Sequence, residues 1–343
     1  FLVHDPEWST RVDKVWLWDD WPENWGRDCG IDLIFKEKNT GEIWAVQAKC
    51  YDPNYAITKK DVDSFLSESS RPQIDKRLLI ATTDIIGSNA SKVCNETDKQ
   101  VVRYLLHNFE ESAIDYPKNL LELASSKVAD VPKPRKYQEE AIKNVITGFK
   151  YSDRGQLIMA CGTGKTLTTL WIKEELKSKT TLVLLPSLNL VSQTLKEWTA
   201  KKNTNFSVLC VCSDSNIGNI QYDEIIGKVE DLSFPSTSDS NEILKFLDYS
   251  GDKVIFSTYQ SSPLIAKAQK KSSVQFDLVI ADEAHRCTGE LNKPFTTILN
   301  QSKIKAHKRL FTTATPRTYS ANLKKRAHER GIEVSGMDNE NLF

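Results

Sequence analysis

Two short motifs, far apart in the chain, constrain the fold more than any other feature. Residues Met159–Thr166 have the sequence M-A-C-G-T-G-K-T, which is typical of a phosphate-binding loop. Residues Asp277–His285 have the sequence D-L-V-I-A-D-E-A-H, an apolar strand that ends in two adjacent acids. Because they occur in this order and each follows a predicted strand, the two motifs together predict an α/β domain that hydrolyses ATP.

The residue types of the first motif suit phosphate binding. Gly162 and Gly164, with Thr163 between them, let backbone amides approach phosphate oxygens. We expect Lys165 to reach the β- and γ-phosphates of ATP and the Thr166 hydroxyl to complete the shell of a Mg²⁺ ion. The helix that follows would direct its positive end toward the bound anion.

The second motif supplies the acids of the same predicted site. Asp282 is expected to hold Mg²⁺, usually through water, and Glu283 to polarise the attacking water. An acidic pair is also common at an ordinary helix N-terminus. The apolar strand directly before this pair favours the catalytic interpretation. The first motif departs from the usual pattern at Met159, where a glycine is typical.

Short apolar strands and helices alternate throughout this half of the chain, which predicts a doubly wound parallel sheet. Strands are predicted at Gln156–Ala160, Thr181–Leu185, Ser207–Cys212, Val254–Thr258, Leu278–Ala281 and Arg309–Thr313, and helices from near Tyr137, Gly164, Leu188 and Glu242. The Ser- and Asp-rich stretch Ser233–Asn241 is predicted to be a loop. The polar end, Met337–Phe343, is predicted to fray.

Four further motifs between Lys133 and Arg317 resemble those of superfamily 2 helicases and translocases. The first, K-P-R-K-Y-Q, ends in Gln138, which the resemblance assigns to adenine binding. The others supply the expected DNA-binding or coupling residues Pro186, Ser187, Thr258, Gln260, Thr313 and Thr315. The resemblance implies a first RecA-like domain here and a second one, carrying an arginine finger, elsewhere. We therefore expect half of an ATPase site, and a solvated helix at the basic stretch Lys324–Arg330.

The first 125 residues have a different pattern, that of a small α/β unit rich in tryptophan. Six of the eight tryptophans occur within the first 44 residues, which predicts an aromatic core. A helix is predicted over residues 8–18, then a hairpin of Ile31–Phe35 and Ile43–Ala48. A helix capped by Thr58 (Lys59–Ser69), a strand (Arg77–Thr82) and a mainly helical segment (Leu105–Ser125) are predicted to follow.

Three polar residues are predicted to converge on this hairpin. Gln47 and Lys49 are two apart and share a face of one strand, and Asp32 approaches from the other arm. A carboxylate, an amide oxygen and a lysine around one point can hold a divalent cation and activate water for phosphodiester hydrolysis. A polar hairpin face would also produce this short pattern by chance.

The surrounding residues resemble the Mrr-type branch of the PD-(D/E)xK nucleases, in which Gln replaces the second acid. Trp25–Asp32 (W-G-R-D-C-G-I-D) and Asp61–Phe65 (D-V-D-S-F) both carry this resemblance. It implies that Asp32, Gln47 and Lys49 form a Mg²⁺-dependent nuclease site. An upstream acid often completes such sites, and Glu7, Asp19 and Asp20 remain alternatives for it.

The charge distribution and the cysteine content indicate which binding partners and which cellular compartment to expect for this protein. The net charge is zero, but residues 1–125 carry 15 Lys and Arg against 22 Asp and Glu, and the remainder carries 31 against 24. The acidic first part is therefore expected to reach DNA with help from its neighbour. Seven scattered cysteines without a C-x-x-C pair indicate reduced thiols and a cytoplasmic location. No apolar run approaches the ~20 residues that span a membrane, so no membrane partner is predicted.

The order of the two predicted parts resembles that of ATP-dependent restriction enzymes, especially the Type ISP single-chain restriction-modification enzymes. The predicted boundaries are 1–125 (nuclease), 126–136 (linker), 137–331 (first RecA-like domain) and 332–343 (tail). The resemblance implies duplex DNA as partner, ATP and Mg²⁺ as cofactors, and further motor, methyltransferase and target-recognition domains of the same chain. The chain does not start with Met, and we expect it to be part of a longer protein.

Three alternatives remain at this stage. The chain could belong to the motor subunit of a Type I restriction complex, or to a repair or defence helicase with an accessory nuclease. In the third alternative, the nuclease-like part is an inactive docking module, against which the intact Asp32, Gln47 and Lys49 argue.

Overall fold

The computed structural model describes residues 1–26, 30–112, 114, 132–212, 232–291 and 293–343. The chain forms two compact units. The first contains Phe1–Ala129 together with Glu230–Pro235, and the second contains Asp130–Val229 and Ser236–Phe343. The first unit therefore takes in a short segment from the middle of the sequence that otherwise builds the second.

The first unit is built on a five-stranded sheet. Its strands, in spatial and chain order, are β1 (Val12–Leu17), β2 (Leu33–Glu37), β3 (Ile43–Lys49), β4 (Lys76–Ala81) and β5 (Val101–Tyr104). The β1, β2 and β3 strands pair antiparallel, whereas β3, β4 and β5 pair parallel. Among the residues described for this unit, three α-helices accompany the sheet: α1 (Lys59–Glu68), α2 (Ser88–Asn95) and α3 (Leu106–Glu110).

Aromatic side chains fill both faces of this sheet, as the tryptophan content predicts. Trp8, Phe35 and Trp44 pack together on one face, with Phe35 stacked on Trp44 at a centroid distance of 5.2 Å. Trp18 and Trp21 lie in a separate cluster on the other face. This alternation follows from the two-residue period of the strands, which sends neighbouring side chains to opposite faces.

Two predictions for this unit are wrong in part. Residues 8–18 are not a helix, because Val12–Leu17 forms β1 and pairs with β2. The strand is flanked by short 3₁₀ turns at Trp8–Thr10 and Trp18–Asp20. The predicted helix at Leu105–Ser125 ends at Glu110. Residues 113 and 115–125 of that prediction lie outside the described residues.

The segment from the middle of the sequence fills a place in the first unit's core. Phe234 is 4% exposed, and its ring lies 5.9 Å from that of Trp8. The Arg11 guanidinium lies 5.1 Å from the Phe234 ring centroid, within range of a cation–π interaction. Arg11 is also paired with buried Glu37. No sequence motif marks this segment as part of the first unit.

The second unit contains a seven-stranded parallel sheet of the predicted doubly wound type. Its spatial order is β6 (Arg154–Ile158), β13 (Ala306–Thr313), β11 (Phe276–Ala281), β7 (Thr180–Leu185), β10 (Lys253–Thr258), β8 (Ser207–Val211) and β9 (Ser236–Thr237). The described helices are α4 (Lys136–Gly148), α5 (Lys165–Glu175), α6 (Leu188–Lys201), α7 (Ser240–Asp248), α8 (Ser262–Gln269) and α9 (Ala321–Glu329). A small antiparallel pair, β12 (Gly289–Glu290) and β14 (Val334–Ser335), completes it.

This strand order brings the motifs together. All pairs in the sheet are parallel, so the loops that follow the strands emerge at one edge. The phosphate loop follows β6 and the acidic pair follows β11, with the end of β13 between them. The β7 strand separates β11 from β10. The site is therefore assembled from chain segments that are more than 100 residues apart in sequence.

Two predictions for this unit are also wrong in part. The tail does not fray, because Met337 and Phe343 are buried and the Phe343 ring lies 5.0 Å from that of Phe311. Arg154 and Gln156 of β6 donate hydrogen bonds to the backbone oxygens of Leu342 and Met337. The predicted loop Ser233–Asn241 contains β9 and the start of α7. By contrast, α9 has no buried residue, as expected for a solvated helix.

None of the helices in the described part of the chain is long and apolar enough to cross a membrane.

Candidate nucleotide and nuclease sites

The phosphate loop has the backbone conformation that its glycines predict. Gly162 and Gly164 have φ values of 74° and 78°, in the left-handed region that favours glycine. A Cβ atom at Gly164 would also lie 2.8 Å from Nε2 of Gln138. Helix α5 begins at Lys165, so its N-terminus faces the loop. This arrangement is suited to binding a phosphate group.

The central contact of this site is an ion pair between the two motifs. Nζ of Lys165 lies 3.3 Å from Oε1 of Glu283, and both side chains are largely shielded from solvent. Glu283 has φ 48° and ψ 48°, a left-handed conformation that is uncommon outside glycine. The backbone turns at Glu283, immediately after the acid that ends β11. The structure thus brings together two residues that are predicted to act on the γ-phosphate.

Two threonines at the end of β13 connect to the acidic pair. Thr312 donates a hydrogen bond of 2.6 Å from Oγ1 to Oδ1 of Asp282. Oγ1 of Thr313 lies 3.5 Å from Oε2 of Glu283 and 3.0 Å from Nδ1 of His285. Because β13 lies between β6 and β11, these hydroxyls occupy the space between the phosphate loop and the acids. Thr313 belongs to the expected coupling residues, and it contacts the predicted catalytic acid directly.

Burial changes the acid–base behaviour of two groups here. It raises the pKa of the Asp282 carboxyl, although the hydrogen bond from Thr312 opposes the shift. It lowers the pKa of His285, against the opposing charge of Glu283. The lowered pKa favours the neutral imidazole, whose Nδ1 can accept a hydrogen bond from the Thr313 hydroxyl.

Gln138 is placed beside the phosphate loop, but its amide is engaged by the protein. Its Oε1 accepts a hydrogen bond of 2.9 Å from the backbone N–H of Arg135, at the start of α4. Its Nε2 donates to the backbone oxygen of Thr163 at 3.1 Å, and Tyr137 Oη donates to the same oxygen. These bonds tie α4 to the loop. Binding of adenine by Gln138 stays a prediction.

The other predicted motor residues lie along the same edge of the sheet. The Thr163 hydroxyl donates a hydrogen bond to Ala160 O, and the Thr166 backbone oxygen accepts one from Trp198 Nε1. The backbone N–H of Thr315 donates to Thr313 Oγ1.

The predicted DNA-binding residues follow β7 and β10. Pro186 is buried at the end of β7, and Ser187 caps α6 by accepting a hydrogen bond from Leu190 N. Thr258 bonds Ser261 Oγ at the end of β10, and Gln260 has a buried Oε1 without a described partner.

The nuclease residues converge through backbone hydrogen bonds. Asp32 N donates to Val46 O, and Asp32 Oδ2 accepts from the N–H of Ala48 at 2.7 Å. Ala48 lies between Gln47 and Lys49 in β3, so the carboxylate is held between the two predicted partners. The Lys49 ammonium forms no ion pair with a described residue, and it remains available to a phosphate or water.

Gln47 supplies the most informative atom of this site. The residue is 1% exposed, and its Nε2 donates a hydrogen bond of 2.9 Å to Gly30 O. Its Oε1 is buried and has no hydrogen-bond partner among the described residues. A buried amide oxygen without a partner is costly unless a ligand satisfies it. An amide oxygen beside a carboxylate is a suitable donor pair for Mg²⁺.

Gly30 allows helix α1 to approach this site. It has φ 76°, and a Cβ atom there would lie 2.6 Å from Ser64 Oγ and 3.2 Å from Phe65 N. This contact explains why the D-V-D-S-F segment accompanies the hairpin motif. Asp61 of that segment caps α1 through Thr58 and also accepts hydrogen bonds from Tyr51 and Tyr55.

The three candidate upstream acids are not equivalent. Trp18 N donates to Asp32 O at 3.0 Å, which places the 3₁₀ turn containing Asp19 and Asp20 beside the site. Glu7 precedes Trp8, which packs on Trp44 at the opposite face of the sheet from Gln47. The geometry therefore favours Asp19 and Asp20. Among the described residues, no three His, Cys, Asp or Glu side chains cluster as a metal site.

Sequence reasoning did not select three residues that contact the motor site. Thr312, Tyr259 and His285 all lie within or beside motifs, but no role was assigned to them. Tyr259 Oη donates a hydrogen bond of 2.6 Å to Asp282 O. Their location within motifs at the carboxyl ends of strands could have identified two of them. Thr312 lies in the F-T-T-A-T segment, and Tyr259 lies in S-T-Y-Q-S.

The chain belongs to a family of restriction enzymes. Residues 132–318 match the family described as type III restriction enzyme, res subunit, and this match covers more than half of the chain. Residues 3–125 match the family described as restriction endonuclease. The predicted fold, a nuclease-like α/β domain followed by a RecA-like domain, is confirmed. These families imply Mg²⁺ and ATP as cofactors.

More particularly, the chain is similar to the Type ISP restriction-modification enzymes. The structure of the ATP-dependent Type ISP enzyme LlaBIII bound to DNA matches with a TM-score of 0.82 and 32% identity, covering 99% of this chain and 23% of that one. A nuclease-deletion mutant of the Type ISP enzyme LlaGI, in complex with a DNA substrate mimic, is 33% identical over 62% of this chain and 19% of its own, with a TM-score of 0.46.

Curated viral proteins match about two thirds of the chain. The probable helicase A859L of African swine fever virus, from isolates including Pig/Kenya/KEN-50/1950 and strain Badajoz 1971, is 31% identical over 220 residues. This alignment covers 64% of the present chain and 24% of the viral protein. The chain therefore spans about a quarter of the length of its curated relatives.

Proposed function

We propose that this chain is the nuclease and first motor domain of an ATP-dependent restriction endonuclease that translocates along duplex DNA and cleaves it. One observation carries the proposal: a phosphate-loop site and a metal-type nuclease site occur in one chain, 99% of which matches a Type ISP enzyme. Each site supplies a different part of the activity. The recognition sequence and the methyl transfer would depend on other domains.

In the motor site, the residues of the chain bind and orient ATP. Glycine-permitted amides of Gly162–Gly164 surround the phosphates, and Lys165 neutralises the β- and γ-phosphate charge. Thr166 and Asp282 would hold Mg²⁺, which offsets charge on the phosphates when bound. Glu283 would orient the attacking water. Because Lys165 is paired with Glu283 in the present structure, entry of the γ-phosphate would exchange this ion pair for a phosphate contact and release the Glu283 carboxylate.

In the nuclease site, Asp32 and the Gln47 oxygen would hold a Mg²⁺ ion that lowers the pKa of bound water. Lys49 would neutralise the charge that develops on the scissile phosphate. Asp19 or Asp20 would supply the further acid. The buried Gln47 oxygen, which has no partner in the described part of the chain, supports this role, because a bound ligand would satisfy it.

The predicted boundaries stand as part of the proposal: nuclease over 1–125, linker over 126–136, first RecA-like domain over 137–331 and tail over 332–343. Pro186, Ser187, Thr258, Gln260, Thr313 and Thr315 would contact DNA or couple it to ATP. Thiols without disulfides among the described cysteines support a cytoplasmic location. Duplex DNA, and a second RecA-like domain with methyltransferase and target-recognition domains, are the proposed partners.

The test uses the complete enzyme that contains this chain. ATP turnover is measured with and without duplex DNA, and cleavage is measured with Mg²⁺ plus ATP, a non-hydrolysable ATP analogue, or a chelator. We expect DNA to stimulate turnover, and cleavage to require both Mg²⁺ and hydrolysable ATP. Cleavage that is unchanged by the analogue would contradict the coupling of motor and nuclease.

A second candidate function is that of a helicase for repair or defence with an inactive nuclease-like domain, and the viral relatives named as probable helicases favour it. Strand separation without any Mg²⁺-dependent cleavage would support this candidate. A Type I motor subunit is separated from both by its need for companion subunits, which co-purification of the complete enzyme would reveal.

A further inference from the structure

Tyr259 connects two parts of the motor domain that the proposed function treats separately. It follows β10, in the segment Thr258–Ser261 that is expected to contact the DNA backbone. Its side chain is 0% exposed, and Oη donates a hydrogen bond of 2.6 Å to Asp282 O, at the end of β11. Since β7 lies between β10 and β11, the tyrosine reaches across the end of one strand to make this contact.

The acceptor of this hydrogen bond is the peptide that sets the position of Glu283. The oxygen of Asp282 belongs to the bond that joins Asp282 to Glu283. Glu283 is one of two described residues other than glycine with positive φ, the other being Lys177. A left-handed conformation at a glutamate persists only where surrounding contacts hold it. The Tyr259 hydroxyl is such a contact, and it acts on the backbone without touching the carboxylate.

The other contacts of Tyr259 keep it rigid. Its ring stacks on that of Phe295, with centroids 5.1 Å apart and planes inclined by 22°. The buried Cys287 thiol lies close to the same hydroxyl. Thr258 Oγ1 donates to Ser261 Oγ at 3.1 Å, which closes the turn that contains the tyrosine. Because these contacts restrict rotation of the Tyr259 side chain, a displacement of the turn would also displace the hydroxyl that is bonded to Asp282 O.

We infer that Tyr259 is a positioning residue that couples contact between DNA and the Thr258–Ser261 turn to the placement of Glu283 for ATP hydrolysis. This inference rests on the proposed DNA-stimulated ATPase. DNA contact at the turn moves or fixes Tyr259, and its hydroxyl then orients the Asp282–Glu283 peptide. Tyr259 itself contacts neither the nucleotide nor the reacting water.

The test compares Tyr259→Phe with the unchanged complete enzyme. Phenylalanine keeps the ring and its stacking on Phe295 and removes only the hydroxyl. We expect the DNA-stimulated kcat to fall by roughly threefold to tenfold, the effect of one hydrogen bond on a rate. The DNA-independent rate should fall by a smaller factor, because coupling to DNA contributes only to the stimulated rate. The KM for ATP and the Kd for duplex DNA should each stay within about twofold, since no ligand contact is lost.

Tyr104→Phe is the matched control. Tyr104 is also a buried tyrosine whose hydroxyl donates to a backbone oxygen, that of Asn108, but it lies in the first unit. Its loss should leave both ATPase rates unchanged. Equal losses of the stimulated and unstimulated rates in Tyr259→Phe would indicate a merely structural role and overturn the inference, as would an unchanged stimulated rate.

The unchanged enzyme tests the proposed function independently of the Tyr259 variant. If DNA does not stimulate ATP turnover by the unchanged enzyme, the proposed function fails before any variant is compared. Thermal unfolding of the variant, measured alongside, confirms that the rates belong to folded protein.

Discussion

The two candidate sites differ in how they satisfy their polar groups. In the motor domain, the side chains bind one another: Lys165 pairs with Glu283, and Thr312 bonds Asp282. In the nuclease domain, Asp32 is held by the backbone, while the Gln47 oxygen has no described partner. Lys49 forms no ion pair with a described residue either. The first site is satisfied largely by contacts among its own side chains, and the second contains a buried oxygen that has no partner among the described residues.

This difference indicates how each site would be switched. The motor site must break a protein contact when ATP enters, so nucleotide binding competes with the Lys165–Glu283 ion pair. Its acid is released only when phosphate takes over the lysine. The nuclease site has no comparable internal contact to break among the described residues. We therefore expect its activity to be controlled through access to DNA and metal.

The largest expected effect concerns the completeness of the motor site. We predict that this 343-residue chain binds ATP weakly and hydrolyses it slowly, because the described residues form one wall of the site. An arginine finger on a second domain is worth ~10³–10⁵ in turnover. Steady-state ATPase with saturating duplex DNA, beside nucleotide-binding titrations, measures both quantities. Turnover near that of the complete enzyme would mean that Arg317, whose charge reaches His285, or a second molecule completes the site.

The next effect tests whether the sites are separable. Asp32→Ala or Lys49→Ala in the complete enzyme should reduce Mg²⁺-dependent cleavage by about a thousandfold, because metal or charge stabilisation worth several kcal/mol is lost. DNA-stimulated ATPase should be retained, since both residues lie in the first unit. A plasmid-cleavage assay run together with an ATPase assay decides this. Full cleavage by Asp32→Ala would remove that residue from the site.

A somewhat smaller loss is expected from the motor lysine. Lys165→Ala should lower ATP turnover of the complete enzyme by at least about a hundredfold, because the positive charge on the phosphates is removed. Cleavage should fall as well, since the motor delivers the nuclease. The control is a Lys→Ala change at an exposed lysine, Lys150, which should leave ATP turnover unchanged. Lys173 is unsuitable as a control because it is buried. Ordinary turnover by Lys165→Ala would exclude its assignment.

The smallest expected effect is on stability, and it concerns the Gln47 oxygen, which has no partner among the described residues. Gln47→Leu removes a buried oxygen that costs ~1–3 kcal/mol and also a hydrogen bond to Gly30 worth ~1 kcal/mol. The two changes oppose each other, so the free energy of unfolding should rise by no more than ~2 kcal/mol while cleavage is lost. Urea unfolding and the cleavage assay are the measurements. A destabilisation of several kcal/mol would show that the described structure lacks a partner of this oxygen.

The sequence was sufficient to locate the central strands of the motor domain, because β7, β10 and β11 are buried on both faces. Apolar runs such as Leu278–Ala281 mark such strands clearly, and parallel order then brings their ends together. The same argument failed at Val12–Leu17, where a strand lies between two 3₁₀ turns and polar residues interrupt the pattern. It also failed at Phe343, because burial there depends on contact with Phe311, 32 residues earlier.

The individual contacts within the sites could not be predicted, because they depend on the spatial arrangement of distant chain segments. The motifs named Asp282 and Thr313, but not which hydroxyl would reach which carboxylate. Thr312 was missed because that choice depends on the position of β13 between β6 and β11, which local sequence does not encode. For Gln47, the side-chain type was predictable, whereas the absence of a described partner for one oxygen was not.

The place of Phe234 in the first unit has a consequence for any attempt to divide this protein. Cutting the chain between residues 126 and 136 leaves Phe234 on the C-terminal fragment, although its ring belongs to the first unit. The piece with residues 1–125 would lose the ring that covers Trp8 and Arg11, and the other piece would carry an unburied phenylalanine. Burial of such a ring contributes ~1.5–3 kcal/mol. A nuclease domain exchanged between related enzymes by recombination at the linker would arrive without its phenylalanine, unless the recipient supplies an equivalent one. Exchange is therefore easiest between close relatives, and the two domains are expected to be inherited together.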